Sequence, residues 1–371
     1  MPQGRPPRRL PPAWRGPLLL TLRLLVLGIG LGVVTGTGLK LLAPQLAASG
    51  SAGNQPSRPD AGAAALNPAA GNTSLPRGRM LGRFEPRQEL TALSRRWAQL
   101  AASQKDLQVS AFLLVLDDGR YAQLQPDRPL PAASSIKSPI LLAAMEEFDT
   151  GRLAWNEPLA MTQEVMGGGA GWMASKPKGT RFPLYLAATD MIRVSDNTAT
   201  NLLIKRLGGK TNLNSRFAQL GLTATVLRNW LPDLDGTNTT SSRDLARTIA
   251  LVDTGEKLSP RARDLFREIL GHSHTNTLIP LGMLQAFGKD SADPDSELQA
   301  EGVTVLNKTG DIGISYADGA LIELPDGQRA VAAFIVKGPF NDPRSTDLIR
   351  AMAGAMTRTL VPAANRAAGR R

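Results

Sequence analysis

The sequence predicts a mixed α/β domain of the α+β kind, on three observations. Two short strand-like runs, residues 109–116 and 121–125, flank Asp117-Asp118-Gly119 and read as a hairpin. Three more strand-like runs, 302–306, 319–324 and 330–336, lie near the end of the chain, the last two joined by Pro325-Asp326-Gly327. Between the two groups, apolar residues recur mainly at helical spacing.

The elements follow in order. Leu90, Leu93, Trp97 and Leu100 predict an amphipathic helix over 86–104, ahead of the hairpin. A helix then starts around Ser134, and Gly-rich 167–171 reads as a loop. Residues 184–207 are largely helical but interrupted by Ser195-Asp196-Asn197, a capping or loop signal between two apolar runs. Residues 227–235 are irregular, and 242–251, 260–270 and 348–360 read as helices.

The 371 residues carry a net charge of +11, and its location excludes one function class. Residues 1–85 hold ten Lys/Arg against Asp60 and Glu85, and the tail 363–371 adds Arg366, Arg370 and Arg371. Residues 86–362 are therefore balanced, which argues against a nucleic-acid partner. The absence of cysteine excludes disulfides and thiolate chemistry. His272 and His274, in Gly-His-Ser-His, read as a polar loop, so neither a metal site nor a cofactor is expected.

The ends have their own organisation. Residues 1–17 form a basic, Pro/Arg-rich segment with Arg5, Arg8, Arg9 and Arg15. Residues 18–42 are apolar apart from Arg23 and Lys40 near the ends, long enough for a membrane span. The preceding arginines predict a cytoplasmic N-terminus in the inner (plasma) membrane, with the rest of the chain extracytoplasmic. A cleaved signal peptide is the competing reading, with Gln45-Leu46-Ala47-Ala48 as a cut site. Residues 43–85, rich in Ala, Gly, Ser and Pro, read as a disordered linker. Residues 86–362 are the expected folded domain, and 363–371 a basic tail.

Three motifs carry the chemistry. Ser134-Ser135-Ile136-Lys137 places a hydroxyl and an amine one helical turn apart, so the two can meet on one face. Pro139 suits a helix's first turn, and the positive end of the helix favours negative charge developing on oxygen. A neutral lysine beside a serine hydroxyl can take its proton and make it a nucleophile without any histidine. Ser175-Lys176-Pro177-Lys178 has the same spacing, but Pro177 and nearby glycines argue for a loop. Ser195-Asp196-Asn197 at a helix junction and Lys308-Thr309-Gly310 at a strand end complete the set.

Together, and in this order, the three motifs resemble those of class A β-lactamases and penicillin-binding proteins. The resemblance covers roughly residues 86–362, and implies a β-lactamase/transpeptidase-like fold. That fold is a five-stranded antiparallel sheet flanked by helices, beside an all-helical lobe, with the site between them. It also implies roles. Ser134 is the acylated nucleophile, Lys137 its base, and Ser195 a proton relay close to Lys137 and Lys308. Asn197 would hold the acyl side chain of the substrate, and Lys308 and Thr309 its carboxylate. Gly310 leaves the strand edge open, and the backbone N–H groups of Ser134 and Asp311 form the oxyanion hole.

One departure decides between activities. Class A β-lactamases carry a deacylating glutamate in the loop that here reads Asn229-Trp230-Leu231-Pro232-Asp233-Leu234-Asp235. Leu231 takes its place, and a leucine cannot activate water. No arginine in the strand after Lys308-Thr309-Gly310 supplies the extra carboxylate clamp of many β-lactamases. This combination is similar to penicillin-binding protein A type DD-peptidases. It implies an anchored penicillin-binding serine DD-peptidase acting on D-Ala-D-Ala stem peptides of peptidoglycan, with β-lactams as inhibitors. A class A β-lactamase deacylating through Asp233 or Asp235 is the second reading. A non-catalytic wall-peptide binding domain is the third.

Overall fold

The computed structural model describes residues 84–361. The expected basic segment, anchor, linker up to residue 83 and basic tail lie outside the described residues. Among the described residues, no helix is long and apolar enough to cross a membrane.

The sheet has strands β1 (Gln88–Glu89), β2 (Gln108–Val115), β3 (Arg120–Leu124), β8 (Thr304–Asp311), β9 (Ser315–Glu323) and β10 (Arg329–Lys337), in the order β1-β3-β2-β10-β9-β8. Five of these pair antiparallel, as expected. The sixth is an addition: β1 pairs with β3 in parallel. It also corrects the helix expected over 86–104, which starts only at Thr91 as α1 (Thr91–Ala102). Backbone N–H groups of Arg87 and Leu90 donate to Gly119 and Tyr121 carbonyls, so this segment covers the sheet edge before the helix begins. Two short ribbons lie apart from the main sheet: β4 (Leu130–Pro131) pairs with β7 (Thr239–Thr240), and β5 (Pro158–Ala160) with β6 (Arg181–Pro183).

β10 runs through the middle of the sheet, buried from Ala330 to Val336 with apolar residues on both faces. Ala332, Phe334 and Val336 pack with α1 and α10 (Pro343–Leu360), where Trp97 meets Phe334 edge-on at 5.3 Å. The Trp97 indole N–H donates to the Met352 carbonyl at 3.0 Å, satisfying its one polar atom in the core. Val331, Ala333 and Ile335 face Leu245 and Ile249 of α6 (Ser242–Asp253).

The helical lobe is organised around α2 (Lys137–Asp149), whose residues 137–145 are all buried. A helix buried on every side belongs between layers rather than on a surface. Around it pack α3 (Leu184–Arg193), α4 (Asn197–Arg206), α5 (Gly209–Gln219) and α7 (Pro260–Gly271). Two short helices, α8 (Ile279–Ala286) and α9 (Pro294–Ala300), lead into β8.

Candidate active site

Ser134 lies in a single 3-10 turn, Ala133–Ile136, immediately before α2, rather than inside the α-helix itself. Ala133 adopts φ +48°, a left-handed conformation rare for a side-chain-bearing residue. Hydrogen bonds to the flanking chain hold the turn: Ala132 N–H to Asn238 O, Ser135 Oγ to Ala132 O and Ser315 Oγ to Pro131 O. Lys137 is the first residue of α2 and is fully buried.

Ser195 also adopts a left-handed backbone, φ +57°, at the junction between α3 and α4. That conformation turns both its carbonyl and its hydroxyl toward Lys137, whose Nζ donates to Ser195 O at 2.6 Å and Ser195 Oγ at 3.0 Å. A third bond goes to Asn197 Oδ1 at 2.9 Å. The Lys137 amine is thus directed at the Ser195–Asn197 segment, which ties the base expected for Ser134 to the proton relay expected at Ser195.

Asp196 explains why the three polar residues stand together. It caps α4 through Oδ1, which accepts from Ala199 N–H at 2.9 Å. Its Oδ2 accepts from the N–H groups of Trp172 and Met173, tying down the end of the Gly-rich loop. Asn197 Nδ2 in turn donates to the Gly168 carbonyl at 2.8 Å. One residue therefore serves the helix and the loop, leaving Ser195 and Asn197 for the cleft.

Lys308, Thr309 and Gly310 sit on β8, the strand at the sheet edge. A Cβ on Gly310 would lie 2.7–2.9 Å from Ser135 N, Ser134 N and Ala132 O, so the strand runs flush against the serine turn. Lys308 is buried, and its Nζ donates to the Thr309 carbonyl at 2.7 Å. Behind it lies buried Asp318, which accepts from Ile279 N–H and Asn307 Nδ2, each at 2.9 Å. Asp311 closes the strand, exposed, with Oδ1 accepting from Gly313 N–H at 2.8 Å.

The electrostatics follow from burial. Desolvation, reinforced by the charge of Lys308, holds the Lys137 amine well below its ordinary value, and Asp196 offsets this only in part. Burial likewise lowers Lys308 to about 8, against the opposing pull of Asp318. Burial raises the Asp318 carboxyl to about 7, although its hydrogen bonds favour the anion. An amine so depressed can accept a proton at neutral pH.

Ser134, Asn197, Leu231 and Asp311 meet at one cavity of about 250 Å³, which also takes in Gly169, Ala170 and Ile312. Leu231 is buried, and Asn201 grips its backbone: Oδ1 accepts from Leu231 N–H at 2.9 Å and Nδ2 donates to Leu231 O at 2.7 Å. Asn201 lies four residues after Asn197 on α4, a spacing that could have marked it in the sequence. Asp233 has both carboxylate oxygens engaged, by Thr237 Oγ1 and by Asn238 N–H. Asp235 is exposed. Ser175 is the exposed end of a 3-10 turn and donates to the Trp172 carbonyl. His272 and His274 are exposed after α7, and among the described residues no cluster of acidic or histidine side chains could hold a metal ion.

Comparison with known proteins bears on the fold and family. The model of the β-lactamase enzyme family matches residues 92–360. The structure of PBP-A is 39% identical, covers 75% of this chain and 98% of that one, and superposes with a TM-score of 0.69. A leucine-to-glutamate variant of PBP-A, solved as an acyl-enzyme with penicillin G, is also 39% identical over 74% of this chain and 98% of its own, with a TM-score of 0.68. A β-lactamase of Bacillus licheniformis is 25% identical over 67% of this chain and 78% of its own length. One from Streptomyces albus G is 28% identical over 40% of this chain, and the match spans only half the length of that relative. On this fold and this family match, the chain belongs to the β-lactamase enzyme family of serine hydrolases.

Proposed function

We propose that the protein is a penicillin-binding DD-peptidase, which transfers the acyl group of a D-Ala-D-Ala stem peptide of peptidoglycan to Ser134. The observation that carries this is Leu231 at the cavity, its backbone fixed at both ends by Asn201. In the reading, neutral Lys137 takes the Ser134 proton as Oγ attacks the carbonyl carbon. The oxyanion forms against the backbone N–H groups of Ser134 and Asp311. The C–N bond then breaks, the Ser195 hydroxyl gives its proton to the leaving nitrogen, and Lys137 returns a proton to Ser195. Lys308 and Thr309 hold the carboxylate of the departing D-alanine, and Asn197 the acyl side chain. Gly310 lets the strand come close enough for the oxyanion pair to form.

β-Lactams acylate the same serine and act as inhibitors, because no side chain at position 231 activates water. The likeness to PBP-A, including its penicillin G acyl-enzyme, supports this reading. The second reading, a β-lactamase, is favoured by the names of the curated relatives. Against it, Asp233 is committed to closing its own loop and Asp235 points to solvent. The wall-peptide binding reading without turnover is disfavoured by a buried, depressed Lys137 at the nucleophile. The proposal takes the apolar run 18–42 as an anchor and the domain as facing the outer side of the plasma membrane. D-alanine release from an acyl-D-Ala-D-Ala peptide tests it: release abolished by Ser134→Ala but kept by Ser175→Ala is expected. Rapid nitrocefin hydrolysis with no D-alanine release overturns it.

A further inference from the structure

We infer that Phe340 is a positioning residue for acylation: its ring, with the backbone N–H of Asn341, braces the turn that follows Asp311 and so fixes the second oxyanion donor. This rests on the acyl-serine reading and its pairing of the Ser134 and Asp311 N–H groups. β8 ends at Asp311 and β9 begins at Ser315, so residues 312–314 make the turn between them. Inside it, Ile312 N–H donates to Ser315 O at 3.2 Å and Gly313 N–H to Asp311 Oδ1 at 2.8 Å. Ile312 lines the cavity. The loop between β10 and α10 holds the rest of the turn: Asn341 N–H donates to Gly313 O at 2.9 Å, and Gly338 N–H to Ile314 O at 3.1 Å. The Phe340 ring lies so close over Gly313 that a Cβ there would stand 2.7 Å from its Cδ2.

The bracing loop is itself anchored. Asn341 takes a left-handed backbone, φ +55°, which asparagine tolerates better than most residues. Asp342 N–H donates to Pro339 O at 3.3 Å, and the Asp342 carboxylate caps α10 by accepting from Arg344 N–H at 3.0 Å. α10 packs into the core through Leu348, Ile349 and Met352, so the loop stands on a fixed base. Phe340, by contrast, is 70% exposed, one of three exposed large hydrophobic side chains among the described residues. A ring so open to water adds little to the core, and its contact with Gly313 gives it another task. Asp311 thus lies between Gly310, flush against the serine turn, and Gly313, held under Phe340. Oxyanion donors act by being in place before charge develops, so loosening the turn should slow acylation without weakening the binding that precedes it.

The test follows labelling of the purified protein over a series of fluorescent-penicillin concentrations, which separates the acylation rate constant from the Kd of the complex before it. Phe340→Ala should lower the rate constant about tenfold, short of the ~10²–10³ for losing a donor outright. The Kd should stay within about twofold, and the melting temperature within a few degrees, as for other surface changes. Phe340→Tyr keeps the ring and should restore the rate, while Tyr185→Ala, at another exposed aromatic, should leave it unchanged. Added to Gly310→Ala, Phe340→Ala should cost less than about threefold more, since both act on one donor. Three results overturn the inference: acylation by Phe340→Ala within about twofold of wild type, a weaker Kd with an unchanged rate constant, or a full tenfold loss on top of Gly310→Ala. The second would mean that the ring touches the ligand directly. Ser134→Ala separates the two levels of the account: if it still labels, the acyl-serine reading fails and takes the inference with it. If it is silent while Phe340→Ala acylates like wild type, the inference alone fails.

Discussion

Gly310→Ala adds a single methyl group, and the structure gives its consequence. The new carbon would stand 2.7 Å from Ser135 N, 2.8 Å from Ser134 N and 2.9 Å from Ala132 O. All three are backbone atoms of the serine turn, which is pinned by its bonds to Asn238 and Ser315 and cannot swing aside as a flexible side chain would. The edge strand must retreat instead, and overpacking of this kind costs about 1–3 kcal/mol. Retreat carries Asp311 N–H away from the proposed oxyanion position. Losing one such donor costs roughly 3–4 kcal/mol in comparable hydrolases, or about 10²–10³ in rate. The rate constant for labelling by fluorescent penicillin should fall by about that factor, while thermal unfolding drops only a few degrees. Gly168→Ala, where the added carbon meets nothing within 4 Å, is the control and should label within a few-fold of wild type. Gly310→Ala labelling within about threefold of wild type would refute the claim that the strand and the serine turn share one oxyanion site.

Leu231→Glu should shorten the life of the penicilloyl-enzyme by about a hundredfold, the lower end of the ~10²–10⁴ that a positioned general base contributes; stopped-flow or label-release kinetics check it. The same change puts a carboxylate where a 4% exposed side chain stood, so the melting temperature should fall. Labelling should also depend on pH, falling above about 8 as Lys308 loses its charge, and Asp318→Asn should move that alkaline limb to lower pH because Asp318 raises the Lys308 value. The stability profile gives a second check on Asp318. Its folded-state carboxyl, at about 7, keeps a proton that the unfolded chain loses near 4. Stability from this group is therefore full below pH 4 and is lost as pH rises through 7, so Asp318→Asn should flatten that decline in denaturant titrations.

Much of the strand layout was legible, because alternation and turn dipeptides are local. The hairpin at Asp117-Asp118-Gly119 and the strands around Pro325-Asp326-Gly327 came within a residue or a few of the observed ends. The alternation of β8 stops at Leu306, and the Lys308-Thr309-Gly310 read as the strand's end is held in it by the ladder to β9 rather than by strand propensity. α5 was missed because Gly208-Gly209 at its start reads as a break, yet Gly208 supplies the left-handed entry. β1 escaped notice because two residues carry no pattern, and only the edge of β3 makes them a strand.

The motif residues were legible at the site, but their partners were not. Nothing local says that Lys137 bonds Ser195 and Asn197, because that depends on how α3 and α4 meet. Asp318 is an acid inside a largely apolar strand, and its place near Lys308 follows from the pairing of β9 with β8. Asn201 had a signal, its four-residue spacing from Asn197, but its hold on Leu231 joins segments 30 residues apart.

The measurement closest to the centre of the account is the lifetime of penicillin on Ser134, followed by intact-protein mass spectrometry after a brief exposure and removal of free drug. A single adduct mapped to Ser134 and persisting for many minutes is expected, with nitrocefin turned over no faster than that adduct decays. An adduct that vanishes within seconds, with sustained nitrocefin turnover, would contradict it.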